Sequence, residues 1–169
     1  MLFMIPFSHT RSWLALISAT CVPLLAYGLY LQHAVGLVPC PMCIVQRYAL
    51  VLVALIAGVS AFFKPGWLQT GGLVKMGLVS AFGAFVAARQ SLLQWNPPEV
   101  MSCGRDFYGM IESFPLKRAI PMIFKGGGDC SAVDWTFLGL TIANWSFLCF
   151  SGFVLMAALL WWKRAPRAA

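Results

Sequence analysis

The sequence predicts an all-α membrane protein, a bundle of four transmembrane helices, from its composition, its apolar stretches and the placement of its charges. Of its 169 residues, 60% are hydrophobic and 10% are charged, whereas soluble domains carry about 25% charged residues. These values exclude a soluble globular domain, and the high apolar content also excludes a disordered chain. We expect residues 1–169 to form a single integral membrane domain.

Four stretches are apolar enough and long enough to cross a bilayer, which takes about 20 residues each. These predicted spans cover residues 13–31, 44–63, 71–88 and 143–162. The first and fourth contain no charged residue, whereas the second contains Arg47 and the third contains Lys75, each near its beginning. The first span is longer than the apolar core of a cleaved signal peptide, so we expect it to remain in the protein as a helix.

The charged residues are segregated along the chain, and this predicts the orientation of the bundle. All five acidic residues lie between Arg89 and Ile142, whereas the two termini and the link at residues 64–70 carry only basic residues. Because Lys and Arg in short flanks stay in the cytoplasm, we expect both termini and that link to be cytoplasmic. The loops at residues 32–43 and 89–142 then lie outside. Topology anchors explain the net charge of +7 without a nucleic-acid partner.

Four of the six cysteines fall in the two outer loops, where an oxidising compartment favours disulfides. The loop cysteines are Cys40, Cys43, Cys103 and Cys130. The other two, Cys21 and Cys149, lie inside the first and fourth spans. We interpret this second group as small buried apolar side chains, since free cysteine packs in that way.

The Cys-Pro-Met-Cys sequence at residues 40–43 is more typical of redox chemistry than of a structural staple. A disulfide across so few residues restricts the unfolded chain little and adds little stability. Cys43 lies at the beginning of the second span, where the helix dipole favours a thiolate. Arg47 lies four residues further on, on the same helical face. A charge inside the bilayer costs about 2.5–3.5 kcal/mol at its centre. We therefore predict a functional Arg47, the alternative being a snorkelling anchor.

The residues alone leave the role of the loop cysteines open. Zinc could use all four as ligands, but no second Cys-x-x-Cys accompanies the first, which is unfavourable for that site. A disulfide joining Cys103 and Cys130 would either staple the second loop, for about 3.5 kcal/mol of chain entropy, or exchange with the first pair. The glycine run at residues 126–128 gives Cys130 a flexible tether, which favours exchange.

The combined pattern resembles the disulfide bond formation protein B (DsbB) family of Gram-negative bacteria. The resemblance rests on the four spans, on Pro-Cys-x-x-Cys at residues 39–43 followed by Arg47, and on the cysteine pair of the second outer loop. It also rests on Gly-Asp-Cys at residues 128–130 with Asp-Trp-Thr-Phe-Leu-Gly-Leu at residues 134–140. It covers nearly the whole chain.

This resemblance implies a quinone-dependent protein-disulfide oxidoreductase of the bacterial inner membrane, with both outer loops in the periplasm. It would reoxidise a soluble DsbA-like thiol oxidase and pass the electrons to ubiquinone or menaquinone, and so to the respiratory chain. The implied redox-active disulfides are Cys40–Cys43 and Cys103–Cys130. Cys103 would be the sulfur that the reduced partner attacks, and Cys43 would lie next to the quinone.

The resemblance also implies two quinone-binding residues. Arg47 would help to bind the quinone and to stabilise the charged thiolate. Gln90 stands where some family members have a histidine; it can donate a hydrogen bond to the quinone but cannot titrate.

Two other functions remain as alternatives. A vitamin K epoxide reductase-like protein also combines a four-helix quinone site with Cys-x-x-Cys, but there the catalytic pair follows the loop pair, whereas here it comes first. A membrane protein with purely structural loop disulfides is the non-enzymatic alternative. Bound quinone would separate the two enzymes from the structural protein.

Overall fold

Four long helices form most of the fold in the computed structural model, which describes residues 10–97 and 128–163. The long helices are α1 (Thr10–His33), α2 (Pro41–Phe62), α3 (Trp67–Trp95) and α5 (Ile142–Trp162), with a four-residue helix α4 (Gly128–Ser131) before the last of them. An antiparallel hairpin of β1 (Thr136–Phe137) and β2 (Leu140–Thr141) lies between α4 and α5. All four long helices are long and apolar enough to cross a membrane. The predicted all-α, four-helix membrane fold is confirmed.

At the cysteine-bearing end of the bundle, the helices extend beyond the predicted spans. Helix α3 continues past Ala88 to Trp95, and α2 already begins at Pro41, so Cys43 lies in its first turn. The predicted third span ended where Arg89 interrupts the apolar run. The helix continues because one of its faces, including Gln90 and Leu93, is buried against the rest of the protein.

The long helices pack in chain order, α1 against α2, α2 against α3 and α3 against α5. They share one apolar core, to which each contributes, as with Leu14, Val53, Met76 and Phe150. Many large apolar side chains on the outside of the bundle, such as Leu78, are more than half exposed. Lipid tails are as apolar as leucine, so these side chains need no protein partner in a membrane.

Local capping explains where the helices begin and end. Cys40 is the N-cap of α2 and Pro41 follows it, a position where proline's missing N–H costs nothing. At the other end of α2, Arg11 donates from Nε to the carbonyl oxygen of Ala61 at 2.9 Å. Since the last carbonyls of a helix lack partners within it, this bond joins the beginning of α1 to the end of α2.

Gly83 allows α3 and α5 to approach each other closely. A Cβ atom at this position would lie 2.6 Å from Cε1 of Phe150, far inside the ordinary contact distance of carbon atoms. Small residues serve this purpose at the helix interfaces of membrane proteins. The ring of Phe150 thereby covers α3 directly and is almost completely buried.

The segment between α4 and α5 is fixed to α3 by Gln94. The hydroxyl of Thr141 donates to Gln94 Oε1 at 2.7 Å, and Gln94 Nε2 donates to the carbonyl of Ala132 at 3.4 Å. The hairpin turns at Leu138 and Gly139, whose φ angles of 53° and 78° are those of a type I′ turn. These contacts hold the segment that carries α4 over the end of the bundle.

Candidate active site

Three cysteine sulfurs meet where α2 begins. The Sγ atoms of Cys40 and Cys43 are 2.7 Å apart, and Cys40 Sγ also accepts a hydrogen bond from the backbone N–H of Cys43 at 3.2 Å. Cys130, on α4, is fully buried and forms a hydrogen bond with Cys40. Cys40 therefore contacts a sulfur from its own Cys-x-x-Cys pair and a sulfur from the second loop.

The environment of Cys40 disfavours its thiolate. The hydrogen bonds with Cys130 and Cys43, together with burial, raise the pKa of the Cys40 thiol. Because the thiolate is the nucleophile in disulfide exchange, Cys40 is poorly placed to attack. It is well placed to be the sulfur that another cysteine attacks when it is part of a disulfide.

The arrangement of Cys40 and Cys43 does not fit a zinc site. Two thiolates on one tetrahedral zinc ion, with Zn–S bonds near 2.3 Å, lie about 3.7 Å apart. Their sulfurs are 2.7 Å apart, which is near the distance at which a disulfide forms with little movement.

Gln90 on α3 contacts both sulfurs of the Cys-x-x-Cys pair. Its Nε2 atom donates to Cys43 Sγ at 3.2 Å and to Cys40 Sγ at 3.3 Å. Its Oε1 atom accepts a hydrogen bond from Gln46 Nε2 at 2.7 Å. Gln90 also lines the cavity described below, so the predicted quinone contact is compatible with its position, while its contact with the sulfurs was not foreseen.

Arg47 is held by acceptors on α1. One terminal nitrogen donates to the carbonyl of Gly28 at 2.8 Å, and the other donates to Oε1 of Gln32. The guanidinium lies within electrostatic range of Cys43. Among the described residues these bonds engage two of its five N–H groups, which leaves donors for an acceptor in the cavity. A snorkelling anchor requires no such fixed position.

A cavity of about 530 Å³ adjoins Cys43 and Arg47. Its wall combines α1 and α5 with the cysteine-bearing ends of α2 and α3 and is largely apolar, with Leu24, Leu50 and Phe150 among its members. The volume is typical of a small-molecule site, in which a few polar groups orient the ligand. A quinone, which has two carbonyl acceptors on a flat ring and a hydrocarbon tail, fits this combination of donors and apolar surface.

Four aromatic rings connect α1, the hairpin and α5 along the cavity wall. Tyr27 contacts Trp135, Trp135 stacks on Phe137, and Phe137 contacts Trp145, with centroid distances of 6.0–6.1 Å. Trp145 Nε1 also donates to the carbonyl of Phe137 at 3.1 Å. All four rings line the cavity. Nothing in the local sequence pattern joins Trp135 and Trp145 to Tyr27, which lies more than 100 residues earlier in the chain.

The predictions for the remaining cysteines have different outcomes. Cys21 is fully buried, as expected. Cys149 is only half-buried and lines the cavity, so the interpretation of Cys149 as a buried side chain is wrong, because the gap between α1 and α5 exposes it. Cys103 lies outside the described residues, and its pairing with Cys130 stays a prediction.

The fold and the site define a class: a multi-pass membrane protein whose Cys-x-x-Cys pair borders an apolar cavity, as in membrane thiol–disulfide oxidoreductases. The family model described as disulfide bond formation protein DsbB matches residues 10–160. A relative named "Disulfide bond formation protein B" from Polaromonas sp. strain JS666 is 70% identical over 89% of this chain and 89% of its own length. Another of that name, from Paracidovorax citrulli, is 63% identical over 94% of this chain and 90% of its own.

The chain belongs to the DsbB family. It is a membrane disulfide bond formation protein, and its enzymatic class is that of membrane thiol oxidoreductases. The family links disulfide formation to quinones in general and implies a DsbA partner. This membership decides against the vitamin K epoxide reductase-like protein and against a purely structural role.

Proposed function

We propose that this protein reoxidises a DsbA-like periplasmic thiol oxidase and passes the electrons through two cysteine pairs to a quinone bound in the cavity. The observation that carries this proposal is the convergence of Cys43, Arg47 and Gln90 on one apolar cavity. The same end of the bundle also holds Cys130 against Cys40. A path for electrons thus has contacting sulfurs at one end and a ligand-sized space at the other.

The first exchange takes place at the Cys103–Cys130 disulfide. A thiolate of the reduced partner attacks Cys103, which forms a mixed disulfide and releases Cys130 as a thiolate. Cys130 then attacks Cys40 in the Cys40–Cys43 disulfide, forming the Cys40–Cys130 bond and releasing Cys43 as a thiolate. Two observations support Cys40 as the attacked sulfur. Cys130 contacts Cys40, and the surroundings of Cys40 raise the pKa of its thiol.

Two further exchanges complete the oxidation of the partner. The second thiolate of the partner attacks its own sulfur in the mixed disulfide, which releases the oxidised partner and the Cys103 thiolate. Cys103 then attacks Cys130, restores the Cys103–Cys130 disulfide and leaves Cys40 and Cys43 as a dithiol. Each exchange forms one S–S bond and breaks one, so two electrons reach the Cys-x-x-Cys pair.

The cavity residues have separate tasks in the last stage. A bound quinone supplies the acceptor for two electrons and two protons. Arg47 places a permanent positive charge beside the Cys43 thiolate and offers N–H donors to a carbonyl oxygen. Gln90 offers an amide N–H in the same wall. The apolar side chains accommodate a hydrocarbon tail, and the aromatic rings of the same wall extend this apolar surface.

The proposed orientation places the cysteine-bearing end in the periplasm and both termini in the cytoplasm of the inner membrane. The segregation of the basic residues supports it. After mild reduction of intact spheroplasts, an impermeant thiol reagent should label Cys103. Labelling that requires breaching of the membrane would contradict this orientation.

Quinone extraction from the purified protein tests the cavity. Ser146 lines the cavity, so Ser146→Phe fills part of it, whereas Leu155 is 64% exposed on the lipid side of the same helix. We expect co-purifying quinone in the unchanged protein and in the control Leu155→Phe, and at least tenfold less in Ser146→Phe. Absence of quinone from the unchanged protein, or equal retention in the two variants, would remove the cavity from the proposal.

A further inference from the structure

Gln46 has no role in the exchanges proposed above, yet it is buried beside the reacting sulfurs. Its side chain is 5% exposed, that of Gln90 is 3% exposed, and the two amides are joined by a 2.7 Å hydrogen bond between α2 and α3. We propose that Gln46 is a positioning residue, which holds the Gln90 amide with its N–H groups toward Cys43 and Cys40. The inference rests on the proposed function, in which Cys43 is the sulfur that faces the quinone.

The two polar atoms of the Gln90 amide have different nearest neighbours. Nε2 has two N–H groups and lies 3.2 and 3.3 Å from the two sulfurs. Oε1 accepts from Gln46 Nε2. A buried amide with both ends engaged has little reason to turn, because each end would lose its partner.

The orientation of the amide decides which form of Cys43 it stabilises. An N–H group donates to a thiolate, whereas a carbonyl oxygen accepts from a thiol and repels a thiolate. Oε1 of Gln90 also accepts a hydrogen bond from the Cys43 thiol at 3.7 Å, a longer contact than those of Nε2. In the observed orientation the closer contact therefore favours the thiolate, which is the form that gives up electrons.

Gln46 controls this orientation because it donates to Oε1. If residue 46 could only accept, Gln90 would satisfy it by turning Nε2 away from the sulfurs and Oε1 toward them. Gln46 lies three residues after Cys43 on the same face of α2. A single helix thus carries both the reacting sulfur and the group that orients its hydrogen-bond donor.

The test is the pH midpoint at which Cys43 is alkylated in the full-length protein. The protein is kept in detergent, reduced with a phosphine, treated with iodoacetamide across a pH series, and the label on each cysteine is counted by mass spectrometry. Because this readout needs neither partner nor quinone, it can fail while the proposed quinone coupling survives, and the reverse is also true.

Two substitutions separate hydrogen bonding from packing. Gln46→Glu keeps the size but, once ionised, accepts only, so we expect the Cys43 midpoint to rise by at least about one pH unit, a tenfold loss of thiolate at a given pH. Gln46→Met removes the donor without adding charge. Here we expect a loss of thiolate at a given pH of about threefold to tenfold, which is a rise of the Cys43 midpoint by about half a unit to one unit.

A double-mutant cycle shows whether Gln46 acts through Gln90. In a Gln90→Met background, adding Gln46→Met should not change the Cys43 midpoint any further. Any shift that Gln46→Glu still causes in that background measures the direct effect of the Glu charge on Cys43. Gln69 supplies the matched control. It is a fully buried glutamine near the other end of α3, hydrogen-bonded to the carbonyl of Ser60, and Gln69→Met should leave the midpoint unchanged.

Three results would overturn the positioning role. The first is an unchanged midpoint in Gln46→Met, which removes the donor without adding a titratable group. The second is a Gln46→Met shift of equal size with and without Gln90. The third is an equal shift in Gln69→Met, which would show that loss of any buried glutamine loosens the site.

Discussion

Replacing Gly83 with alanine should separate α3 from α5 and disturb the cavity at the same time. The added Cβ would meet three carbon atoms of the Phe150 ring at 2.6–2.7 Å, whereas carbon atoms in contact lie about 3.5–4.0 Å apart. The ring must therefore move by about 1 Å. Since Phe150 is packed in the core and lines the cavity, the movement affects both.

Two opposing contributions determine how much Gly83→Ala changes the free energy of unfolding. Overpacking a core costs about 1–3 kcal/mol, whereas alanine is about 1 kcal/mol better than glycine in a helix. Gly152→Ala on α5 separates these contributions. A Cβ there meets nothing within 4 Å, so this variant gains the helix preference of alanine without the overpacking. Relative to Gly152→Ala, Gly83→Ala should lose about 2 kcal/mol, which lowers the thermal midpoint by roughly 6 °C in a chain of this length.

The assay is thermal unfolding in one detergent, together with quinone titration of the reduced protein. Gly83→Ala should show the lower midpoint and a raised KM for quinone, and Gly83→Ala with Phe150→Leu should recover part of both. If Gly83→Ala is as stable as Gly152→Ala and binds quinone equally well, the close approach of α3 and α5 is not what limits this position.

Substitutions at three further positions, Arg47, Cys43 and Cys21, test separate claims. Arg47→Met should raise the KM for quinone about tenfold or more, the effect of one lost charge-assisted hydrogen bond. Arg47→Lys should give a KM between those of Arg47→Met and the unchanged protein, because it keeps the charge but loses the planar fork. Unchanged kinetics in both variants would return Arg47 to the role of anchor. Cys43→Ala combined with Cys103→Ser removes the other proposed partners of Cys40 and Cys130 and should allow a Cys40–Cys130 disulfide, visible by mass spectrometry of the unreduced protein; its absence after oxidation would contradict the contact that supports the second exchange. Cys21→Ala should cost only about 1 kcal/mol of stability and retain quinone reduction, so loss of activity would show a role for this core cysteine.

The fold could be predicted because segments that are solvated by lipid must be apolar over about 20 residues, and this is visible in the sequence. Four apolar stretches and the exclusion of acids from them suffice to predict four helices. The full extent of α3 could not be predicted in this way. Arg89 ends the apolar run, but the helix continues because Gln90 and Leu93 are covered by neighbouring elements, which is a tertiary effect.

The candidate site was predictable where its residues lie close in sequence. Cys40, Cys43 and Arg47 occupy one short segment, and helical periodicity alone places Arg47 on the face of Cys43. The spacing of three residues between Cys43 and Gln46 was an equally available signal, but a single neutral glutamine in a helix has no pattern that marks it. Its importance depends on Gln90, which only the packing of α2 against α3 brings into contact.

Contacts between distant elements had no sequence signal. Gln32 and Gly28 hold Arg47 through backbone and side-chain acceptors on α1, and Gln94 fixes the segment before α5. The contact of Cys130 with Cys40 likewise depends on how that segment crosses the end of the bundle.

Quinone reduction driven by two different donors tests the proposed electron path most directly. The donors are the reduced DsbA-like partner and a small dithiol, with the protein in lipid vesicles that contain quinone. Cys103→Ser should abolish reduction by the partner and keep slow reduction by the dithiol, whereas Cys43→Ser should abolish both. Quinone reduction by the Cys43→Ser protein at the unchanged rate would contradict the claim that electrons leave through Cys43.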